Sequence, residues 1–198
     1  MIQDFDFVKK LNSYKIVLGS GSPRRQFLLK DLGLQFSVVT SDFDEVFPEQ
    51  LVREEIPVFL CTKKAEAINI QYEDNTLVIT ADTIVWVDNK VLNKPGSEAE
   101  AVQMLELLSG KMHEVITAVC LKTKDKEHAF YTVTKVFFKT LTKEEIRFYV
   151  TNYKPFDKAG AYGAQEWIGY VGVERIEGSY FNVMGLPMKE LYEEMLRL

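Results

Sequence analysis

A polar string, Ser20-Gly21-Ser22-Pro23-Arg24-Arg25, lies between an apolar run, Tyr14–Leu18, and the amphipathic stretch RRQFLLKDL, which Gly33 stops. A strand that delivers the chain to a helix start leaves the first backbone N–H groups without intrahelical partners, and the helix dipole adds partial positive charge there. With the hydroxyls of Ser20 and Ser22 and the guanidinium groups of Arg24 and Arg25, such an end suits a phosphate, which arginine can hold through paired hydrogen bonds. The same string also fits a capped helix carrying two solvated arginines. Asp82 is the second chemical signal, because it interrupts the apolar, β-branched run TLVITADTIVWV. A carboxylate there costs desolvation energy unless a cation or hydrogen-bond donors offset it, and an acid so placed points to function. Thr83 faces the opposite side in a regular strand, whereas a bulge would bring both residues to one side. Glu45 in SDFDEVF, Lys64 in TKKAEA and Lys94 before Pro95 complete a set of complementary charges, although each alone fits an ordinary surface position. His113 in SGKMHEVIT and Cys61 on an apolar helical face fit structural roles.

The elements that must position these residues can be read from periodicity and from start and stop signals. Ser22 stands where an N-cap belongs and Pro23 at the first helical position. Residues 36–40 form a short strand, and 58–70 have helical period. Thr76–Val87 is the pattern of a strand buried on both faces, followed by a turn at Asp88-Asn89. Ser97 with Glu100 and Thr142 with Glu145 are capping-box spacings that open two further helices. Residues 115–122 and 129–141 are strands joined by the polar turn TKDKEH, a hairpin. A Gly-rich region follows, then a strand near 171–176 and a helix after Pro187. Strands alternating with helices give an α/β fold with a mixed sheet.

Composition limits the partners. Of the 198 residues, 24 are Lys or Arg and 29 are Asp or Glu, a formal charge of −5. General affinity for polymeric nucleic acid or an anionic membrane needs the opposite balance, although a local basic pocket for a small anion remains open. Two Cys and two His cannot build the usual zinc or iron sites, so any metal is a hard cation on carboxylate oxygens. Apolar runs fall short of the ~20 residues of a membrane helix, and MIQDFDFVKK lacks the continuous apolar stretch of a secretory signal. The expectation is a soluble, cytoplasmic chain with an N-terminal extension over residues 1–13 and a single domain over 14–198.

The segments LGSGSPRR, SDFDE, TKKAEA, ADTIV, NKP, LSGKMHEVITAV, DKAGAYGAQ and IEGSYFNVMGLP, in that order, resemble the Maf (septum-formation) family of nucleotide pyrophosphatases from about Tyr14 to the C-terminus. The resemblance implies a fold similar to the inosine triphosphate pyrophosphatases, an elongated mixed sheet with flanking helices and two lobes around a central cleft. It implies hydrolysis of a nucleoside triphosphate to the monophosphate and pyrophosphate with a divalent cation, Mg²⁺ or Mn²⁺, keeping non-standard nucleotides out of nucleic acids. Carried over by motif, Asp82 is the catalytic base and, with Glu45, a metal ligand, while Glu45, Lys64 and Lys94 surround the phosphates. Arg24, Thr83 and Gln165 fall where substrate is selected, in a combination similar to the dTTP- and UTP-preferring branch. Uracil and thymine offer an acceptor at O4 and a donor at N3, which one carboxamide can answer, although Gln165 could instead support the loop after Gly160 and Gly163. The family name implies an alternative, a nucleotide-binding regulator of cell division without significant turnover, and a homodimer is left open. Departures from the family pattern are Gly19 for Ala, Asn93 for Gly, Glu166 for Gly and Ser179 for Asp. Glu166-Trp167 alters the pocket rim, which bears on nucleobase preference more than on the chemistry.

Overall fold

The apolar, β-branched runs become strands of one mixed sheet. A computed structural model describes residues 5–41 and 43–198, so residues 1–4 of the expected extension and Asp42 of the SDFDE segment lie outside the described residues. Among the described residues the seven strands are β1 (Lys15–Leu18), β2 (Phe36–Val38), β3 (Thr76–Val87), β4 (Lys90–Leu92), β5 (Met112–Lys122), β6 (Glu127–Phe138) and β7 (Val173–Glu177). Their order is β2-β1-β3-β5-β6-β7, with β4 paired to β3. The chain divides into two compact units, one holding the described residues up to Asp82 with Thr117–Thr132 and Gly185–Leu198, the other Thr83–Ile116 and Val133–Met184. Strands β3, β5 and β6 belong partly to each, and β3 changes unit between Asp82 and Thr83.

In the first unit, β1 runs parallel to β2 and to the start of β3, with Leu18 opposite Ile79. Helices α1 (Asp6–Leu11), α2 (Pro23–Asp31), α3 (Glu55–Ala67) and α8 (Met188–Arg197) belong to it. Leu18, Leu29, Ile56, Leu77 and Ile79 fill its core. Residues 6–11, within the expected extension, form α1, whose Val8 and Leu11 are buried and whose Phe7 meets Tyr192 of α8 edge to face. The helix expected from residue 58 begins three residues earlier, at Glu55. Pro57 lies in its first turn, where the missing N–H would have no partner anyway.

In the second unit, Asp88 and Asn89 have φ of 48° and 59°, the left-handed pair that closes a two-residue β3–β4 hairpin. Helices α4 (Glu98–Leu108), α5 (Lys143–Tyr153), α6 (Trp167–Gly172) and α7 (Tyr180–Met184) and a 3₁₀ turn at Ala159–Ala161 pack around Leu105, Leu108, Val136, Tyr149 and Ile168. Thr142 and Glu145 make both bonds of a capping box, at 3.2 and 2.7 Å. The Ser97 box is half made: its hydroxyl accepts from Glu100 N, but the Glu100 carboxylate takes the N–H of Gly96. Helix α6, only six residues long, was not expected, because it is too short to show a period. No described helix is long and apolar enough to cross a membrane.

His113, at the start of β5, is 1% exposed, shares a 2.7 Å hydrogen bond with the Tyr162 hydroxyl and sits edge-on to Phe138. Burial pushes its imidazole down from 6.5 to about 3. Between those values the unfolded chain binds the extra proton, so stability rises with pH and is lost as pH falls below 6.5. This one group should make the protein about 2 kcal/mol less stable at pH 5 than at pH 7. Urea unfolding at the two pH values should show that difference shrinking in His113→Gln; an unchanged difference contradicts it.

Candidate active site

The approach to the site is set by close backbone packing. The N–H of Gly19 donates to Ile79 O at 2.8 Å, continuing the β1–β3 ladder one residue past the strand. A Cβ on Gly19 would lie 2.6 Å from the Thr80 methyl and 3.1 Å from Ile68 Cδ1, so only glycine fits without a shift of its neighbours. The Thr80 hydroxyl in turn donates to the carbonyl of Cys61 at 2.6 Å, tying β3 to α3. Lys64 stands three residues further along α3 and Asp82 two residues further along β3, so this tie brings both side chains to one place.

There the Lys64 Nζ lies 2.5 Å from the Asp82 carboxylate and 2.8 Å from that of Glu45. The Asp82 side chain is 8% exposed, that of Lys64 14% and that of Glu45 39%, so the cluster opens toward solvent on the Glu45 side. Burial pushes the Asp82 carboxyl above its usual range, opposed by the Lys64 ammonium and the Arg25 guanidinium. A carboxylate held this way is more basic than one in water while still paired with a cation, which suits a group that must accept a proton.

The expected phosphate-binding string occupies the turn from β1 into α2. Ser22 is the N-cap of α2, but its side chain makes no cap bond; its N–H turns back to the Ser20 hydroxyl at 3.3 Å. Arg25 donates to the carbonyls of Gly185 and Ala81, at 2.8 and 2.7 Å, and to the Ser20 hydroxyl at 3.2 Å. Burial lowers its pKa, partly offset by Asp82, while the neighbouring Arg24 lowers it further. Ser20, Ser22, Arg24, Arg25, Glu45, Lys64 and Asp82 therefore belong to one unit, and most are linked by direct bonds. Thr83, Lys94 and Gln165 belong to the other. Lys94 is exposed beside Asn93, whose carbonyl accepts from Gly160 N at 3.2 Å, and Gln165 is half-buried with its carbonyl accepting from the Tyr170 hydroxyl. Among the described residues no group of three or more His, Cys, Asp or Glu could hold a metal ion.

The profile of the Maf-like protein family matches residues 15–198. The chain belongs to the Maf family. Its relatives include the dTTP/UTP pyrophosphatase of Bacteroides fragilis, 52% identical over 95% of this chain and 98% of that protein. The proteins of the same name from Phocaeicola vulgatus and Flavobacterium johnsoniae are 50% and 49% identical, each over 96% of this chain and over 100% and 98% of their own lengths. Among solved structures, the Staphylococcus aureus Ham1 protein is similar at a TM-score of 0.44 with 18% identity, covering 91% of this chain and 99% of that one.

Sequence reasoning did not find the backbone partners of Arg25, or the Thr80 bond that sets α3 against β3. A hydroxyl in an apolar strand was the available signal for Thr80, but nothing in the sequence indicates which carbonyl it meets. Arg25→Ala should leave the carbonyls of Ala81 and Gly185 without these donors and lower the unfolding free energy by about 1–3 kcal/mol. Denaturant unfolding checks this; a change within about 0.5 kcal/mol, as at an ordinary surface site, contradicts it.

Proposed function

We propose that this chain is a nucleoside triphosphate pyrophosphatase that hydrolyses dTTP and UTP, with 5-modified pyrimidine triphosphates in the same class, to the monophosphate and pyrophosphate. The observation that carries the reading is the buried Asp82 carboxylate paired with Lys64 and, through it, with Glu45. The near full-length relatives named dTTP/UTP pyrophosphatase support the substrate class. In this reading Asp82 orients a water and takes its proton as the water oxygen attacks the α-phosphorus; the bond from that phosphorus to the bridging oxygen breaks and pyrophosphate leaves. Lys64, Arg24 and the Ser20–Ser22 turn at the head of α2 offset the charge of the phosphates, without which a polyanion repels the attacking oxygen. Arg25 holds that turn to the carbonyl that precedes Asp82.

A divalent cation fits the donor set. Two carboxylates, Asp82 and Glu45, already converge on one cationic group, and Mg²⁺ is usually held by one or two carboxylates plus substrate phosphates. Those two residues would hold it, and the ion supplies further charge neutralisation at the phosphates. We place the reaction in the cytoplasm: Cys61 and Cys120 are free, buried thiols, which suits a reducing compartment.

Turnover of dTTP with release of pyrophosphate separates this reading from that of a nucleotide-binding regulator, which needs no base. Asp82→Asn should keep triphosphate binding and lose about 10²–10⁴ in turnover, read by pyrophosphate release across a nucleotide panel. Wild-type turnover by the variant would remove Asp82 from the chemistry.

A further inference from the structure

Uracil and cytosine present mirror-image hydrogen-bonding edges at position 4 and N3: acceptor and donor in uracil, donor and acceptor in cytosine. A glutamine carboxamide matches the first in one orientation and the second when turned by half a rotation about its last bond. An amide free to turn reads neither base, so selectivity lies in whatever fixes its orientation.

The segment around Gln165 contains such a device. The Glu166 carboxylate is 3.1 Å from Lys158 Nζ through one oxygen and accepts the Tyr149 hydroxyl through the other. The same Tyr149 oxygen accepts the N–H of Gly163 at 3.0 Å, and Gly163 O accepts the N–H of Glu166 at 3.0 Å. Gly163 is thus held at both its N–H and its carbonyl, and Gln165 lies within the short turn these bonds close. A Cβ on Gly163 would meet Glu166 Cδ at 2.9 Å, Glu166 Oε2 at 3.1 Å and Gln165 Nε2 at 3.1 Å. The carboxylate and the amide nitrogen therefore both border the space that a Cβ on Gly163 would fill. The group is well shielded: Tyr149 is fully buried, and the Lys158 and Glu166 side chains are 9% and 20% exposed. Burial and the adjacent carboxylate keep the Tyr149 phenol protonated, so it donates and Glu166 accepts.

We propose that Glu166, clamped by Lys158 and Tyr149, is a positioning residue for nucleobase selection, its negative charge holding the Gln165 carboxamide with the NH₂ toward it and the oxygen away. This rests on the assignment of Gln165 to the nucleobase. Shielded from water, a carboxylate discriminates strongly between an amide NH₂ and an amide oxygen, since one is a donor and the other repels it.

The test compares kcat/KM for UTP and CTP in the full-length protein and in Glu166→Gln, which keeps shape and removes charge. The UTP-to-CTP ratio should fall roughly tenfold, the scale set by one mismatched buried polar pair, with UTP losing more than CTP. Tyr149→Phe, which removes only the hydroxyl, should move the ratio in the same direction and decides the matter if Glu166→Gln does not fold by thermal unfolding. Equal losses on both nucleotides in both variants overturn the proposal, since support of the fold alone has no preference for a base. Gln165→Ala separates the two assignments. A collapsed ratio there with an intact ratio in the Glu166 and Tyr149 variants overturns only the role of Glu166. An intact ratio in Gln165→Ala overturns both.

Discussion

A carboxylate buried in an apolar strand is the constraint on which the first unit depends. Asp82 could not remain charged on β3 without a cation, since removing one partner of a buried ion pair generally costs about 3–5 kcal/mol. Lys64 supplies that cation from α3, and its reach is short enough that α3 must be held in one register against β3. The Thr80–Cys61 bond does this from within the same two elements. Arg25 adds a second hold, tying the turn before α2 to the carbonyl of Ala81. The interactions that stabilise the unit are thus the ones that arrange its chemistry.

Much of this was legible in the sequence. Asp82 announced itself as the one charge in a run otherwise made of apolar residues and threonine, and the Ser-Gly-Ser-Pro string marked a strand-to-helix passage whatever it bound. The full capping box at Thr142 and the turn at Asp88-Asn89 followed from local chemistry, which acts over a few residues and so survives in one dimension. What the sequence withheld was pairing across distance. Lys64 lies 18 residues before Asp82 on a different element, and a lysine in TKKAEA looks like any surface lysine until β3 is set beside it. Arg25 carries the same ambiguity, because two of its partners are backbone carbonyls, which every residue has. The short helices α1, α6 and α7 escaped for a different reason: five or six residues are too few to display a helical period.

The second unit repeats the theme with a different polar group. Lys158, Glu166 and Tyr149 form a shielded chain within a Gly-rich segment whose composition alone would suggest freedom of movement. Glycine serves there as space: Gly160 brings the backbone against Val85, where a Cβ would come within 2.8 Å, and Gly163 leaves room for two polar side chains. A segment rich in glycine can therefore be firmly placed when the missing side chains are what let its neighbours close in.

Gly19 extends that idea to the paths by which the sequence can change. The family pattern often carries alanine at this position, yet here a methyl group would fall 2.6 Å from the Thr80 methyl. Serine at position 80 would keep the hydroxyl that holds Cys61 and remove the nearest obstructing carbon, leaving the Ile68 carbons at 3.1 and 3.2 Å; valine would keep the crowding and lose the bond. The two positions are therefore sterically coupled: a smaller side chain at 80 eases an exchange at 19, while the exchange at 19 made first passes through a strained intermediate.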